Sequence, residues 1–212
     1  MENKKYTVIT IGRQFGSGGR ELGRRVAEAL GYEFYDKRLL PEAAKAAGMD
    51  VSFFENADEK FPSFVGGSMP VNIGYNPMPW YTPSAISDEA LNRRVADLIT
   101  TLASRGNCVI VGRTADYVLR NHPDAEVISI FVHAPMEERV RRIIARCDCK
   151  DEKSARALAE KRNRLRAEYY NFYTDRRWGD AATYDLCLDS GLLPMDSLVE
   201  LVTRYVRLRR PE

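Results

Sequence analysis

The sequence predicts one α/β domain with three layers, in which a five-stranded parallel sheet lies between two layers of helices. Five short apolar segments alternate with segments of helical periodicity, the pattern of a parallel sheet covered on both faces. The length of 212 residues suits one domain with a sizeable core. The predicted strands are residues 6–11, 32–35, 108–111, 127–132 and 184–189.

Helices are predicted from apolar periodicity and from end signals. The first begins at about Arg20, carries one apolar face, and is stopped by Gly31. Ser87 is the predicted N-cap of a helix that ends near residue 104, and Pro135 is predicted at the first position of another. The remaining predicted helices are residues 37–47, 151–173 and 195–209.

Residues 49–86 break the alternation of strands and helices. Five of the ten prolines lie there, with several aromatic residues among them. Long loops inside a compact domain are usually functional or mobile. The sequence therefore predicts a functional insert in this range.

A glycine-rich loop stands between the first strand and the first helix. Glycines there allow successive N–H groups to point inward as an anion nest, to which the helix N-terminus adds its dipole. The pattern G-x-x-x-x-G-K-[ST] is not met, because Gly19 stands where lysine is expected and neither Arg20 nor Glu21 after it supplies the Mg²⁺-binding hydroxyl. Arg20 is the candidate for the missing cation, and Ser17 or Glu21 for the Mg²⁺ ligand. The predicted phosphate-binding residues are Gly12, Gly16, Ser17, Gly18, Gly19, Arg20 and Glu21.

Two other interpretations of this loop stay open. It could be a turn kept glycine-rich for tight strand–helix packing. It could also be a dinucleotide-binding turn, since Gly16-x-Gly18 follows a strand and Asp36 closes the next strand 20 residues later. Glu21 stands in place of the third glycine, and the loop is longer than that fold uses.

Three features fall at one edge of the predicted sheet. The glycine loop follows the first strand, Asp36 follows the second, and Gly112-Arg113 follows the third. Ligands of open parallel sheets bind beyond the carboxyl ends of the strands. This convergence predicts a binding site at that edge.

Residues 138–177 are crowded with arginine. They could form an anion-binding face or a solvated helix face with pairs such as Glu152/Arg156. The aromatic residues at 169, 170, 172, 173 and 178 could stack a base or pack the helix. A formal net charge of only +2 argues against a nucleic-acid partner.

Metal clusters, membrane spans and secretion signals are not indicated. Cys147-x-Cys149 lacks the second pair of ligands that a closed zinc site needs. No apolar run has the length of a signal peptide or of a bilayer span. We therefore expect a cytoplasmic protein without a membrane partner.

Several segments resemble the cytidylate-kinase-like family, of the P-loop nucleoside monophosphate kinase type. They are ITIGRQFGSGGREL, AEALGYEFYDKR, VIVGRTADY, FVHAPMEER and YDLCLD, and the resemblance covers nearly the whole chain. It implies a P-loop kinase fold, an acceptor-binding insert at 49–86 and an arginine-rich lid at 146–180. It also implies ATP with Mg²⁺ as donor and a small nucleotide, CMP or dCMP, as acceptor.

The resemblance implies residue roles as well. Arg20 would hold ATP phosphates with the loop, Asp36 and Arg38 would begin the acceptor site, and Arg113 would grip the acceptor phosphate. The expected catalytic cations are Arg20, Arg113, Arg162 and Arg164, and the expected lid arginines are Arg142, Arg146, Arg162 and Arg164. Two alternatives stay open: a kinase of another small metabolite, and a nucleotide-binding protein with little turnover that serves as a sensor or partner module.

Overall fold

The computed structural model describes residues 6–36, 45 and 84–209, with residues 84–91 described by their backbone. Within this part of the chain the strands form one five-stranded sheet in which every neighbouring pair is parallel. The spatial order is β2-β3-β1-β4-β5. The strands are β1 (Tyr6–Arg13), β2 (Glu33–Tyr35), β3 (Cys108–Val111), β4 (Ala125–His133) and β5 (Leu186–Asp189).

Helices cover both faces of the sheet. They are α1 (Gly19–Leu30), α2 (Ser84–Ala103), α3 (Ala115–Leu119), α4 (Met136–Ala145), α5 (Glu152–Thr174) and α6 (Met195–Arg209). Side chains alternate along a strand, so Val8 of β1 packs against α2 and α3, while Ile9 and Ile11 pack against α1 and α6. The predicted α/β/α architecture with a five-stranded parallel sheet is therefore confirmed.

Helices α4 and α5 pack against each other beside the sheet. Val140 and Ile143 of α4 contact Ala155 and Ala159 of α5, and Phe15 of the glycine loop packs against this cluster. The loop is therefore tied to α5 by apolar contact as well as by the polar contacts described below.

Two predicted helix starts are wrong. Helix α2 begins at Ser84, directly after Pro83 in the sequence, so Ser87 lies within the helix and is not its N-cap. Pro135 is the N-cap of α4, because its ψ of 149° is extended and Met136 is the first helical residue. Both signals mark a helix start nearby, but local capping preference does not fix the residue.

Other differences are small. Strand β1 continues two residues beyond the predicted end, because Gly12 and Arg13 pair with Phe131 and Val132 of β4. The short helix α3 was not predicted. Helix α6 has the predicted bounds, and Gly31 ends α1 in the left-handed conformation as predicted.

Part of the prediction falls outside the described residues. Of the predicted helix 37–47 only Lys45 is described, as helical. Residues 49–83 of the predicted insert are not described, and 84–86 belong to α2. Among the helices that are described, none combines the length and the apolar character that crossing a bilayer requires.

Candidate active site

A cavity of about 720 Å³ opens where the carboxyl ends of β1, β2 and β3 meet α4 and α5. Its wall includes the glycine loop after β1, Asp36 after β2 and Gly112-Arg113 after β3. The sequence predicted the convergence of these three features. The volume is in the range of small-molecule and cofactor sites.

The glycine loop has the backbone geometry of an anion site. Gly16 and Gly18 have φ of 83° and 78°, and a Cβ on Gly16 would lie 2.8 Å from the carbonyl oxygen of Arg139. The first hydrogen bond of α1 runs from the Leu22 amide to the Gly18 carbonyl. The amides of residues 19–21 therefore precede it and are available to an anion at the helix N-terminus.

Arg142 and Ser190 stabilise the glycine loop through hydrogen bonds to its backbone. Arg142 Nη1 donates to the carbonyl oxygen of Ser17 at 3.0 Å, and its Nη2 donates to the carbonyl oxygen of Ser190 at 2.6 Å. The hydroxyl of Ser190 donates to the same Ser17 carbonyl at 2.5 Å. Arg142, predicted as a lid arginine, thus lines the cavity while it anchors the loop to the segment after β5.

The predicted Mg²⁺ ligands differ in their surroundings. Ser17 is fully buried, and its hydroxyl donates to the carbonyl oxygen of Gln14 at 2.9 Å, a bond that stabilises the loop. Glu21 is more than half exposed and lines the cavity. In this conformation Glu21 is the more accessible ligand of the two.

Helix α5, in the predicted lid, contacts the loop directly. The amide of Phe15 donates to Asn163 Oδ1 at 2.7 Å, and Arg166 Nη1 donates to the carbonyl oxygen of Arg13 at 2.8 Å. The guanidinium carbons of Arg146 and Arg166 lie 5.5 and 5.6 Å from the centre of the Phe15 ring. These cation–π contacts bring two α4–α5 cations to the loop.

Arg20 joins the loop to the predicted acceptor side. Its Nε donates to Oδ2 of Asp36, whose side chain is almost fully buried. Half of the Arg20 side chain is exposed at the cavity. The guanidinium that was predicted to replace the lysine is therefore bound to a carboxylate in this structure.

Arg113 lies in a strained segment. Gly112, Arg113 and Thr114 have φ of 83°, 60° and 53°, and left-handed φ is rare for a β-branched residue such as Thr114. Such conformations cost about 1–3 kcal/mol each and cluster at functional sites. The strained turn places Arg113 on the cavity wall, as predicted.

Cations dominate the cavity wall, and burial acts on two of them. Burial lowers the pKa of Arg13 to about 10, and the charge of Arg113 adds to the effect. Burial lowers the pKa of Arg166 to about 9, with Arg13, Arg162 and Arg146 contributing repulsion. Both stay protonated at neutral pH, so an anion in the cavity relieves this repulsion. The lining arginines are Arg13, Arg20, Arg24, Arg113, Arg142, Arg146, Arg162 and Arg166, against the carboxylates Glu21, Asp36 and Asp116.

Of the predicted arginines that the structure describes, one is not brought to this cavity. Arg164 is exposed and does not line it, because two residues along a helix turn the side chain by about 200° from Arg162. Arg38 lies outside the described residues. Sequence reasoning missed Arg13 and Arg166. The spacing of four residues between Arg162 and Arg166 could have revealed the second, since it places both on one helix face.

Aromatic residues form the other end of the cavity. Tyr169 donates to Asn92 Oδ1 at 2.6 Å, and Tyr170 donates to Asp116 Oδ2 at 2.5 Å. Burial raises the pKa of Asp116 and of Tyr170. Phe172 is 76% exposed and does not line the cavity. Apart from Phe15 in the glycine loop, the aromatic residues of the lining are Tyr169, Tyr170, Tyr173, Trp178 and Tyr184, so this end can accept a planar ring.

The cavity fits a nucleotide phosphate chain and a Mg²⁺ ion bound with it. Positive-φ glycines, helix amides and arginines suit the phosphates. In the described part of the chain no group of three His, Cys, Asp or Glu side chains could hold a metal alone. Mg²⁺ commonly uses only one or two carboxylates, with phosphates and water completing its shell. Glu21 and Asp36 meet that requirement.

A family model described as the cytidylate kinase-like family matches residues 8–192. The chain belongs to this family. Cytidylate kinases of Methanopyrus kandleri and Pyrobaculum aerophilum are 27% and 25% identical to it, over 86% and 93% of this chain and 84% and 91% of theirs. As a member of the cytidylate kinase-like family, the chain is confirmed as a phosphotransferase of the nucleoside monophosphate kinase type.

Solved structures support the fold of this family member. An uncharacterized protein from Eubacterium ventriosum superposes with a TM-score of 0.69 at 27% identity, covering 95% of this chain and 98% of that chain. The APS kinase of Mycobacterium tuberculosis superposes with a TM-score of 0.53 at 15% identity, covering 97% and 99%. The second likeness concerns the fold alone, and it confirms the predicted P-loop kinase architecture.

Proposed function

We propose that this protein transfers the γ-phosphoryl group of ATP, bound with Mg²⁺, to CMP or dCMP. The observation that carries the proposal is that the glycine loop and Arg113 open into one cavity lined by arginine. Donor and acceptor phosphates are both anions, and their close approach requires such neutralisation. The relatives named cytidylate kinase support a cytidine nucleotide as acceptor.

The donor side is the glycine loop. Amides of residues 19–21 bind the phosphates of ATP, and Arg142 stabilises the loop through its hydrogen bond to the Ser17 carbonyl. Glu21 and Asp36 are the carboxylates that would hold Mg²⁺, directly or through water. Bound Mg²⁺ supplies neutralisation of the charge on the β- and γ-phosphate oxygens.

Asp36 and Arg113 form the acceptor side, and Arg38, which lies outside the described residues, is proposed to act there from the family resemblance. Arg113 binds the acceptor phosphate, and the Arg20–Asp36 ion pair connects this side to the loop. A phosphate oxygen of the acceptor forms a bond to the γ-phosphorus of ATP. The bond between that phosphorus and its bridging oxygen breaks, so that ADP leaves and the acceptor gains one phosphoryl group.

Cations from α4 and α5 complete the charge at the reacting groups. Arg146, Arg162 and Arg166 line the cavity, and the side chain of Asn163 holds Phe15 of the loop. Closure of α5 over bound nucleotide would exclude water, which suppresses hydrolysis of ATP. The aromatic end of the cavity, with Tyr173 and Trp178, can stack the acceptor base.

The test is product formation from ATP·Mg²⁺ with CMP, dCMP, UMP, AMP or GMP, followed by chromatography of the diphosphates. We expect CDP or dCDP to form fastest. The control is Arg209→Met, since Arg209 lies outside the cavity lining, with its folding checked by circular dichroism. Preferential formation of another diphosphate would show that the acceptor is a different nucleoside monophosphate. Measurable ATP binding without any diphosphate would contradict transfer to a nucleoside monophosphate.

A further inference from the structure

We propose that Arg13 is the relocated cation of the phosphate loop and binds the phosphate chain in place of the absent lysine. The proposal rests on the proposed function for the identity of its ligand, a nucleotide phosphate chain. Arg13 is the last residue of β1 and lies six positions before Gly19, which stands where the lysine is expected.

The stem of Arg13 occupies the space in which a side chain at position 19 would begin. A Cβ built on Gly19 would lie 2.7 Å from Cβ of Arg13 and 3.3 Å from its Cγ. Gly19 is the first residue of α1 and, unlike Gly16 and Gly18, does not have positive φ. Backbone conformation therefore does not require glycine there, whereas the Arg13 side chain does.

The guanidinium of Arg13 lies against a second glycine. A Cβ built on Gly112 would lie 2.0 Å from Nη1 of Arg13, so the head group reaches the turn that carries Arg113. The side chain thus runs from the donor loop to the acceptor turn along the cavity wall. A cation on this path can contact phosphates on both sides of the transferred group.

The charge of Arg13 is not neutralised by an ion pair within the described residues. The buried carboxylate of Asp36 acts favourably on the charge of Arg13, but Asp36 forms its ion pair with Arg20. Arg166 approaches from α5 and donates to the Arg13 carbonyl. The lowered pKa of Arg13 agrees with this geometry, since burial and neighbouring cations both disfavour its charge. A phosphate is the counter-ion that such a site lacks.

The geometry makes positions 13 and 19 alternatives for one cation. Arg13→Met keeps the aliphatic stem and removes the charge, so ATP should bind about 10- to 100-fold more weakly. Gly19→Lys alone introduces a side chain where Arg13 lies and should also weaken binding. Arg13→Gly/Gly19→Lys removes the whole side chain including its Cβ, provides the space and returns a cation, so ATP affinity should recover to within about fivefold of wild type.

The experiment is calorimetric titration of ATP into wild type, Arg13→Met, Gly19→Lys, Arg13→Gly and Arg13→Gly/Gly19→Lys, without acceptor. Arg13→Gly/Gly19→Ala is the matched control, because it places a side chain at position 19 without charge and should not recover affinity. Circular dichroism and the melting temperature establish that each variant is folded, so that an unfolded Gly19→Lys variant leaves the other comparisons intact.

The outcomes separate this inference from the proposed function. The inference is supported if wild type binds ATP, if Arg13→Met binds ATP weakly, and if only the double variant with lysine at position 19 recovers the affinity. Arg13→Met that binds ATP like wild type, or recovery with alanine at 19, would overturn the inference alone. Wild type that binds no ATP would overturn the proposed function first.

Discussion

Arginines at the two ends of the sheet have opposite surroundings. At the amino-terminal end, Arg209 of α6 donates to Glu126 at 2.6 Å and to Asp185 at 3.3 Å. The hydrogen bond to Glu126 raises the pKa of Arg209 above its ordinary value, with further contributions from Tyr205 and Asp185. At the carboxyl end, burial lowers the pKa of Arg13 and Arg166.

This difference in surroundings distinguishes arginines that stabilise the fold from arginines that are placed to bind an anionic ligand. Arg209 connects α6 to the start of β4 and to Asp185 before β5, and its charge is balanced within the protein. The cavity arginines outnumber their carboxylates, and this surplus carries a cost in the absence of an anion. The charges around an arginine therefore indicate whether it binds a ligand, whereas the count of arginines in a segment of the sequence does not.

The largest expected effect is on turnover. Arg166→Met should lower kcat/KM for diphosphate formation by about 100-fold, since it removes a cation that lines the cavity beside the glycine loop. Its melting temperature should change little, because the lost bond to the Arg13 carbonyl is offset by relief of repulsion from Arg13 and Arg162. Steady-state kinetics and thermal denaturation measure the two. A large loss of stability with unchanged turnover would show that Arg166 serves the fold.

A smaller effect should separate two arginines of the same helix. Arg162 lines the cavity and Arg164 does not, although both are exposed. Arg162→Met should lower kcat by about tenfold, which corresponds to about 1.4 kcal/mol. Arg164→Met should change kcat by less than about twofold, since it removes a solvated cation. Equal losses in the two variants would mean that α5 rearranges when substrates bind.

The matched change at the other end of the sheet should affect stability. Arg209→Met removes a charge network, which is worth about 1 kcal/mol in the free energy of unfolding at this degree of exposure. Turnover of the folded protein should be unchanged. Urea denaturation beside a kinetic assay tests both statements. A Lys substitution should recover only part of the stability, because one ammonium cannot reproduce the two-sided contact.

The smallest expected effect is a pair of opposite pH dependences. Burial raises the pKa of Asp116 in the folded protein above its value of about 4 in the unfolded chain. The contribution of Asp116 to the free energy of unfolding is therefore fully present below about pH 4, and it is lost as the pH rises through the pKa of the folded protein. For Asp185, burial acts in the same direction, but hydrogen bonds from Ser129 and Arg209 prevail and lower the pKa. Its contribution is therefore present above about pH 4 and is lost as pH falls.

Asn variants at the two positions test this difference. Relative to wild type, Asp116→Asn should gain stability as pH rises above about 4, whereas Asp185→Asn should lose stability as pH rises towards about 4 and show a constant deficit above it. Urea denaturation at several pH values provides the measurement. Parallel curves for the two variants would contradict the account of the two ends of the sheet.

Most of the site could be predicted because its parts follow consecutive strands. The glycine loop, Asp36 and Gly112-Arg113 each end a strand, and parallel topology brings such ends together. The chemistry of those residue types then indicates phosphate. Local sequence was sufficient here because the backbone, not distant packing, forms the site.

The remaining parts depend on contacts between distant residues. Arg13 lay beyond the predicted end of β1, and only its approach to Gly19 and Gly112 shows where its side chain runs. The Ser190 hydroxyl meets the Ser17 carbonyl across 173 positions, which no local pattern encodes. The predicted N-cap at Ser87 is wrong for a different reason. The local sequence there is typical of a helix start, but it lies inside a longer helix.

Phosphoryl transfer to a cytidine nucleotide in the arginine-lined cavity is tested most directly by the time course of diphosphate formation from ATP·Mg²⁺ with CMP or dCMP. Wild type, Arg113→Met and Arg209→Met are compared, each shown to be folded. We expect CDP or dCDP from wild type and Arg209→Met, and at most about one hundredth of that rate from Arg113→Met. Equal rates in all three, or neither CDP nor dCDP from wild type that binds ATP, would contradict transfer in this cavity.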